Sequence, residues 1–258
     1  MTTEAATQAT VGSLDALISA RIHASDKPIG KVFDFYFQQR TWTVRYFVID
    51  TRIWLPGRMV LIAPPSVEGA DWSEGIVHMA LTSDQIEHSP HVDSKVTISR
   101  EHETMLAKYF GWLPYWESRP LPESISRSVA AEALPQDRID LERNRKPEST
   151  LSAFKEILEY NLTAIDGEMG AVQDFLVDPE TWEIRYVTAD IGTLFHKHLV
   201  VLSTQWLAGI SWAQRQVRAK MTKDRIHSSP PMPEVIDRPY EIALHEHYSR
   251  PGYWTSGE

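Results

Sequence analysis

At 258 residues the chain has room for two domains, and its net charge of −9, with no run of Lys and Arg, offers a phosphate backbone nothing to bind and makes nucleic acid an unexpected partner. The absence of Cys excludes disulfides, thiolate nucleophiles and sulfur-ligated zinc, and fits a reducing compartment. No window reaches the roughly 18 apolar residues of a membrane span, and residues 1–6 lack the basic and apolar regions of a secretory signal, so the expected location is cytoplasmic.

Residues 1–13 are small, polar and rich in Thr and Ala, the composition of a disordered, frayed N-terminus. From residue 14 the apolar pattern has period two, which means strands. Gly30 opens one strand, where a positive φ or a close backbone approach is expected. After a turn at Gln38-Gln39-Arg40, the residues Trp42, Val44, Tyr46 and Val48 share one strand face. Further strands cover 58–63 and 76–81, with Val77, Met79 and Leu81 inward and Ile76, His78 and Ala80 outward. Glu103, Leu106 and Phe110 then fall near one helical face, followed by an extended Tyr115-Trp116 end. Residues 117–150 carry Pro120, Pro122, Pro135 and Pro147 and a charged run over 137–146. That reads as a linker, with a short helix at 129–134.

The elements then recur. Residues 14–90 align with 154–230 without a gap: Thr41-Trp42 returns as Thr181-Trp182, Arg45-Tyr46 as Arg185-Tyr186, Asp50 as Asp190, and Ser89-Pro90 as Ser229-Pro230. The tails match at a slightly shorter offset, with Glu103, Leu106, Phe110 and Tyr115-Trp116 answered by Glu241, Leu244, Tyr248 and Tyr253-Trp254. One supersecondary unit has been duplicated. The expected domains are 14–116 and 151–258, each a barrel-sized body with an aromatic-ended tail. The fold class is mainly β with short helices.

Ile29-Gly30-Lys31-Val32-x-Asp34-Phe35 followed by Trp42-x-Val44-Arg45-Tyr46 resembles the opening of the PRC-barrel domain. Met169-Gly170-x-Val172-x-Asp174-Phe175 with Trp182-x-Ile184-Arg185-Tyr186 repeats the resemblance. Leu81-Thr82-x-Asp84-x-Ile86-x-x-Ser89-Pro90 and Gly111-Trp112-x-Pro114-Tyr115-Trp116 look like later parts of the same module in bacterial proteins with two such domains. The resemblance implies two PRC-like β-barrels in tandem, of the type shared by the cytoplasmic part of the photosynthetic reaction centre H subunit and by the bacterial ribosome maturation factor. It implies binding rather than catalysis.

The candidate sites were weighed against plain structural roles. Asp34/Asp174 and Asp50/Asp190 are duplicated, as turn caps or partners of Arg45/Arg185 would be. On a strand, His196/His198 and His245/His247 would each point two imidazoles to one face, and the sequence places no third ligand beside either pair, so incidental surface histidines are expected. His88, His91 and His102 form a looser group. Neither a nucleophile elbow nor a Gly-rich phosphate cradle occurs, so no catalytic residue and no cofactor is expected. Trp42/Trp182 are expected to seal the barrels. Phe33, Trp54, Ile76, Trp112 and Trp206, each present in one copy only, and the terminal Trp254 are the expected interface residues, because duplication preserves what the fold needs. The expected function is a non-enzymatic cytoplasmic scaffold or adaptor. Its paired barrels, packed as a pseudo-twofold pair, bind a protein partner or self-associate. The alternatives are a small-molecule or metal-binding sensor at an inter-barrel cleft and, last, an enzyme.

Overall fold

A computed structural model describes residues 9–52, 55, 58–90, 98–117, 151–193 and 196–255. The linker, apart from Glu117, and the helix expected at 129–134 lie outside the described residues, as do Trp54, Pro56 and His91. The protein is mainly β: the described residues form fourteen strands in two mixed sheets, with six short α-helices. No helix among them is long and apolar enough to cross a membrane.

The chain runs through β1 (Gly12–Ser13), α1 (Leu14–Leu17), β2 (Arg21–His23), β3 (Pro28–Gln38), β4 (Thr43–Asp50), β5 (Met59–Ile62), β6 (Val67–Asp71), β7 (Ile76–Met79), α2 (Ser83–Glu87) and α3 (Arg100–Phe110). The second copy follows with β8 (Leu151–Ala153), α4 (Phe154–Ile157), β9 (Asn161–Ala164), β10 (Gly167–Val177), β11 (Ile184–Asp190), β12 (Leu199–Ser203), β13 (Leu207–Ser211), β14 (Gln216–Ala219), α5 (Lys223–His227) and α6 (Arg238–His247). The sheet orders are β5-β4-β3-β2-β7-β6 and β12-β11-β10-β9-β14-β13, the same order twice. The pairs β2–β7 and β9–β14 are parallel and the other pairings described are antiparallel. The expectation of closed barrels is corrected here, because each sheet stays open.

The chain forms two compact units. The repeat-one unit holds Ser19–Gln39 and Arg45–Ala153; the repeat-two unit holds Met1–Ile18, Arg40–Val44 and Phe154–Glu258. Each sheet therefore borrows a strand from the other copy's sequence. β1 pairs with β10 through Gly12↔Val177 and Ser13↔Leu176, and β8 pairs with β3 through Tyr36↔Ala153 and Gln38↔Leu151. Gly12 and Ser13 are thus part of a sheet rather than of a frayed end. Thr10 donates its backbone N–H to Ile236 O at 2.9 Å, and Ser13 caps α1 by accepting Ala16 N–H at 2.9 Å. Leu14 and Leu17 are fully buried, and α1 packs on β10.

The glycines that open β3 and β10 have the reason expected of them. A Cβ on Gly30 would lie 2.1 Å from Asp50 O, and one on Gly170 would lie 1.9 Å from Asp190 O, so two backbones meet where no side chain fits. Trp42 and Trp182 depart from expectation. They do not lie on a strand face; each ends a hairpin turn in the left-handed region, with φ of 49° and 58°. Asp178 builds the second turn by accepting the N–H groups of Glu180 and Thr181 at 3.0 and 3.1 Å. Within the repeat-two unit the two turn segments pair: Trp42 O accepts Ile184 N–H and Trp182 O accepts Val44 N–H, at 2.6 and 2.9 Å.

β4 is buried on both faces. Tyr46 and Val48 lie under α3 with Leu61, Ala63, Ile98 and Leu106. Phe47 and Ile49 point the other way, and Phe47 meets Phe35 edge to face at 5.0 Å. α3 is stopped and started by its caps: Ser99 accepts His102 N–H at 3.2 Å, and Gly111 takes φ of 73°. In the second copy Asp237 caps α6, and Ser249 takes the left-handed position of Gly111.

Leu14→Ala is expected to cost about 2–5 kcal/mol. The loss should fall on the repeat-two unit, although Leu14 lies in the first copy. Amide hydrogen exchange checks this: Phe175, Leu176 and Val177 should lose protection while Phe35 and Phe37 keep theirs.

Candidate functional site

The tail helices bring a carboxylate under each sheet. Glu103 on α3 and Glu241 on α6 are completely buried. Tyr186 and Tyr253 donate their hydroxyls to Glu241 Oε1 at 2.8 and 3.0 Å, and Arg238 meets Oε2 at 2.8 Å. Tyr115 donates to Glu103 Oε1 at 2.7 Å, Arg100 meets Oε2 at 2.9 Å, and Tyr46 also bonds this carboxylate. Burial pushes the Glu103 carboxyl above its usual range, against the donors that pull it down. Burial and the nearby carboxylate push the Tyr253 phenol up to about 12.

The Tyr-Trp ends fold back over this charge rather than running on extended, because a buried carboxylate needs their hydroxyls. Arg45 lies 4.3 Å over Tyr115 and Arg100 lies 4.1 Å over Trp116. Arg185 over Tyr253 and Arg238 over Trp254 repeat the stack at 4.1 and 4.3 Å. This clamp was not picked out from sequence. The signal was present, since the Arg three residues before each Glu and the Tyr twelve residues after it recur in both copies.

Two of the single-copy tryptophans, Trp112 and Trp206, are explained by compensation. Trp112 comes from the tail, donates Nε1–H to Ser66 Oγ at 2.8 Å, and stacks on Phe110 at 4.4 Å. In the second copy Ser66 corresponds to Trp206 and Trp112 to Arg250. Trp206, 1% exposed, packs on Tyr248, the counterpart of Phe110, at 4.6 Å. The indole is supplied by the tail in one copy and by the body in the other. Trp206 therefore presents nothing to a partner. Trp254 is half-buried against His245 and Arg238, and its ring sits on Gly252, where a Cβ would be 2.3 Å away. Ile76 is half-buried in β7, opposite Arg21 and Asp71. Phe33 is exposed on β3.

The titratable candidates have structural work. Asp174 accepts N–H groups from Asp15 and Phe175 at 2.9 and 2.7 Å and a short hydrogen bond from Ser13 Oγ; burial nevertheless pushes its carboxyl up to about 6. Asp34 is buried and accepts Phe35 N–H at 2.7 Å. Asp190 accepts Gly192 and His198 N–H groups at 2.9 and 3.0 Å, which holds its carboxyl below the usual range. Asp50 pairs with Arg52 rather than Arg45, while Arg185 pairs with Asp178 and Glu183.

The two histidine pairs do not form as pairs. His245 and His247 lie on a helix, where residues two apart face different ways. His245 is buried, with Nδ1 2.9 Å from Pro251 O and Nε2 3.2 Å from Tyr186 Oη, and burial lowers its pKa so the ring is neutral. His247 instead meets Ser228 Oγ at 3.1 Å. His196 and His198 precede β12, and the ring near His198 is that of His227, at 6.1 Å. Among the described residues no group of three His, Asp or Glu converges as a metal site.

What remains on the surface differs between copies. α3 exposes Met105 and Tyr109, each 42% accessible, and Leu113 just beyond it is 90% accessible. Their counterparts are Ala243, His247 and Pro251. The spacing i, i+4, i+8 was legible in the sequence once the segment was read as a helix. Phe33 likewise has Gln173 as its counterpart. No protein-family model and no curated protein matches the chain.

Two outcomes are expected. Ser66→Trp overpacks the repeat-one unit by about 1–3 kcal/mol, and Trp112→Arg costs about 3 kcal/mol or more. The double variant copies the repeat-two arrangement, so its loss should fall short of the sum by about 1 kcal/mol or more in a denaturant double-mutant cycle. For Asp174 the protonated form is favoured in the fold, since its carboxyl is pushed up to about 6. Its contribution is full below about pH 4 and is lost as pH rises through about 6, a swing of about 3 kcal/mol. Urea unfolding across that range should show the swing in the native protein and not in Asp174→Asn.

Proposed function

We infer that the chain is a non-enzymatic adaptor, built on two PRC-like units, that works in the cytoplasm and holds a protein partner against α3 of the repeat-one unit. The observation that carries this reading is the stripe of Met105, Tyr109 and Leu113, exposed where the other copy has Ala243, His247 and Pro251. Tyr109 also donates its hydroxyl to Gln85 O at 2.9 Å, so it is Met105 and Leu113, which the second copy does without, whose retention calls for another reason. Met105 and Tyr109 one turn apart on an exposed helix, with Leu113 just past its end, fit the apolar face of a partner segment. The groups that would otherwise suggest catalysis are occupied: Glu241 closes on Tyr186, Tyr253 and Arg238, and Asp174 closes on the α1 segment. The identical strand order of the two open sheets supports the duplication, and the PRC-like reading of each unit rests on the repeated motifs alone.

A photoreactive residue at position 113, with position 242 as an exposed control, tests the reading in the native cell. The expected result is one discrete adduct with a second protein. The identified partner, purified, should bind the variant carrying Met105→Ala, Tyr109→His and Leu113→Ser at least roughly tenfold more weakly than the native protein. An adduct only with a second copy of the chain would replace the adaptor by a homo-oligomer, and the absence of any adduct would remove the face as a binding site.

A further inference from the structure

The adaptor reading leaves one other copy-specific cluster unused. β2 and β7 are parallel neighbours, and their register sets His23 directly beside His78. The two imidazoles stand edge to face, with centroids 5.6 Å apart and planes at 81°. They line a hollow of about 400 Å³ together with Asp26, Lys27 and Glu68. Glu68 is the extra residue of the bulge opposite His78, where Val67 pairs with Met79 and Gly69 with His78.

The repeat-two unit has the same register and the same bulge, with Thr163 beside Arg218 and a shift between Leu207 and Gly209. His23, His78 and Glu68 correspond there to Thr163, Arg218 and Ala208. The backbone is therefore built without these three side chains, and all three change together. Asp26 is different, since it and its counterpart Asp166 both accept the N–H that opens the following helix, from Ser83 and Lys223 at 2.7 and 2.8 Å. That carboxylate belongs to the fold.

We propose that His23 and His78 form a bidentate site for a divalent transition metal ion of the zinc, nickel or copper class. Imidazole nitrogen suits these ions. With metal–nitrogen bonds of about 2.0–2.1 Å, two imidazoles sharing one ion place their ring centroids roughly 5–6 Å apart, the separation already present here. Adjacent strands hold both rings in position before the ion arrives, and Glu68 lines the hollow with a carboxylate. Water fills the positions the protein does not. The proposal is independent of the adaptor reading, because the hollow shares no residue with the stripe on α3.

Calorimetric titration of the full chain with Ni²⁺ and with Zn²⁺ tests this, and paramagnetic broadening of imidazole NMR signals by substoichiometric Ni²⁺ locates the ion. One equivalent should bind, and the His23 and His78 signals should broaden first. His23→Thr and His78→Arg install residues that the other unit accommodates, and each should weaken binding at least roughly tenfold. His198→Arg, which installs the residue of the first copy, should leave that binding unchanged. Broadening centred on other histidines, equal affinity in the two variants, or no binding at millimolar metal would each overturn the site.

Discussion

An open sheet that is apolar on both faces has to be covered twice, and this constraint organises each unit. Tyr46 and Val48 face one way and Phe47 and Ile49 the other, and all four are buried. A closed barrel would hide one face inside itself. Because these sheets stay open, the second layer is the tail helix, and Leu106 and Leu244 reach complete burial beneath it. The same helix carries Glu103 or Glu241 into the interface. A carboxylate there is tolerable only with donors on every side, so the chain beyond the helix folds back to bring Tyr115 or Tyr253 onto it. The arginines stacked on those rings follow from the same need. Removing one partner from such a set leaves an uncompensated buried charge, which explains why all its members recur together.

The two copies act as an experiment on one another. Where both keep a residue, the structure gives it a place in the fold: Gly30 and Gly170 under a carbonyl, and the clamp residues. Where they differ in the core, the changes compensate, as Trp112 with Ser66 does against Trp206 with Arg250. Among the described residues, differences that no such exchange explains include Met105 and Leu113 on the surface and the His23–His78 hollow. Presence in one copy alone was therefore an incomplete guide. It holds for Met105, Tyr109 and Leu113 on the surface, but equally for Trp206, whose partner change forty-four residues along the repeat made it core.

Much of the fold was legible because duplication doubled every weak signal. The strands, the helical face of Glu103, Leu106 and Phe110, and the close approach at Gly30 were all readable from period and residue type. What was not legible depended on long-range partners. Trp42 and Trp182 continue the period-two pattern of the strands after them, and only the hairpin geometry puts them in the left-handed region. The strand reading of His245 and His247 conflicted with the helical spacing of Glu241, Leu244 and Tyr248 around them, and the helix is what forms. The paired strand at Gly12–Ser13 is two residues long, and its apolar partner lies at Val177, far beyond any window of sequence. Whether the sheets close is a matter of edge pairing, to which the alternation within a strand is blind.

The polar contents of the two cores suggest how the copies came to differ. In the repeat-one unit Trp112 has Ser66 as an acceptor, whereas Trp206 meets no acceptor for its indole N–H among the described residues. An unpaired buried donor costs about 1–3 kcal/mol. The same core also holds a neutral histidine, His245, where the repeat-one unit has Ala107. Its Nδ1–H donates to Pro251 O at 2.9 Å, so the ring ties the returning tail to its helix through a bond the first copy lacks. The second tail is thus held by polar contacts inside the core, and its outer face is free to be small and polar. The first tail is held by its indole and keeps an apolar outer face. Because the two tails are secured by different means, their outer surfaces answer to different constraints, apolar at Met105 and Leu113 in the first, and small at Ala243 and cyclic at Pro251 in the second.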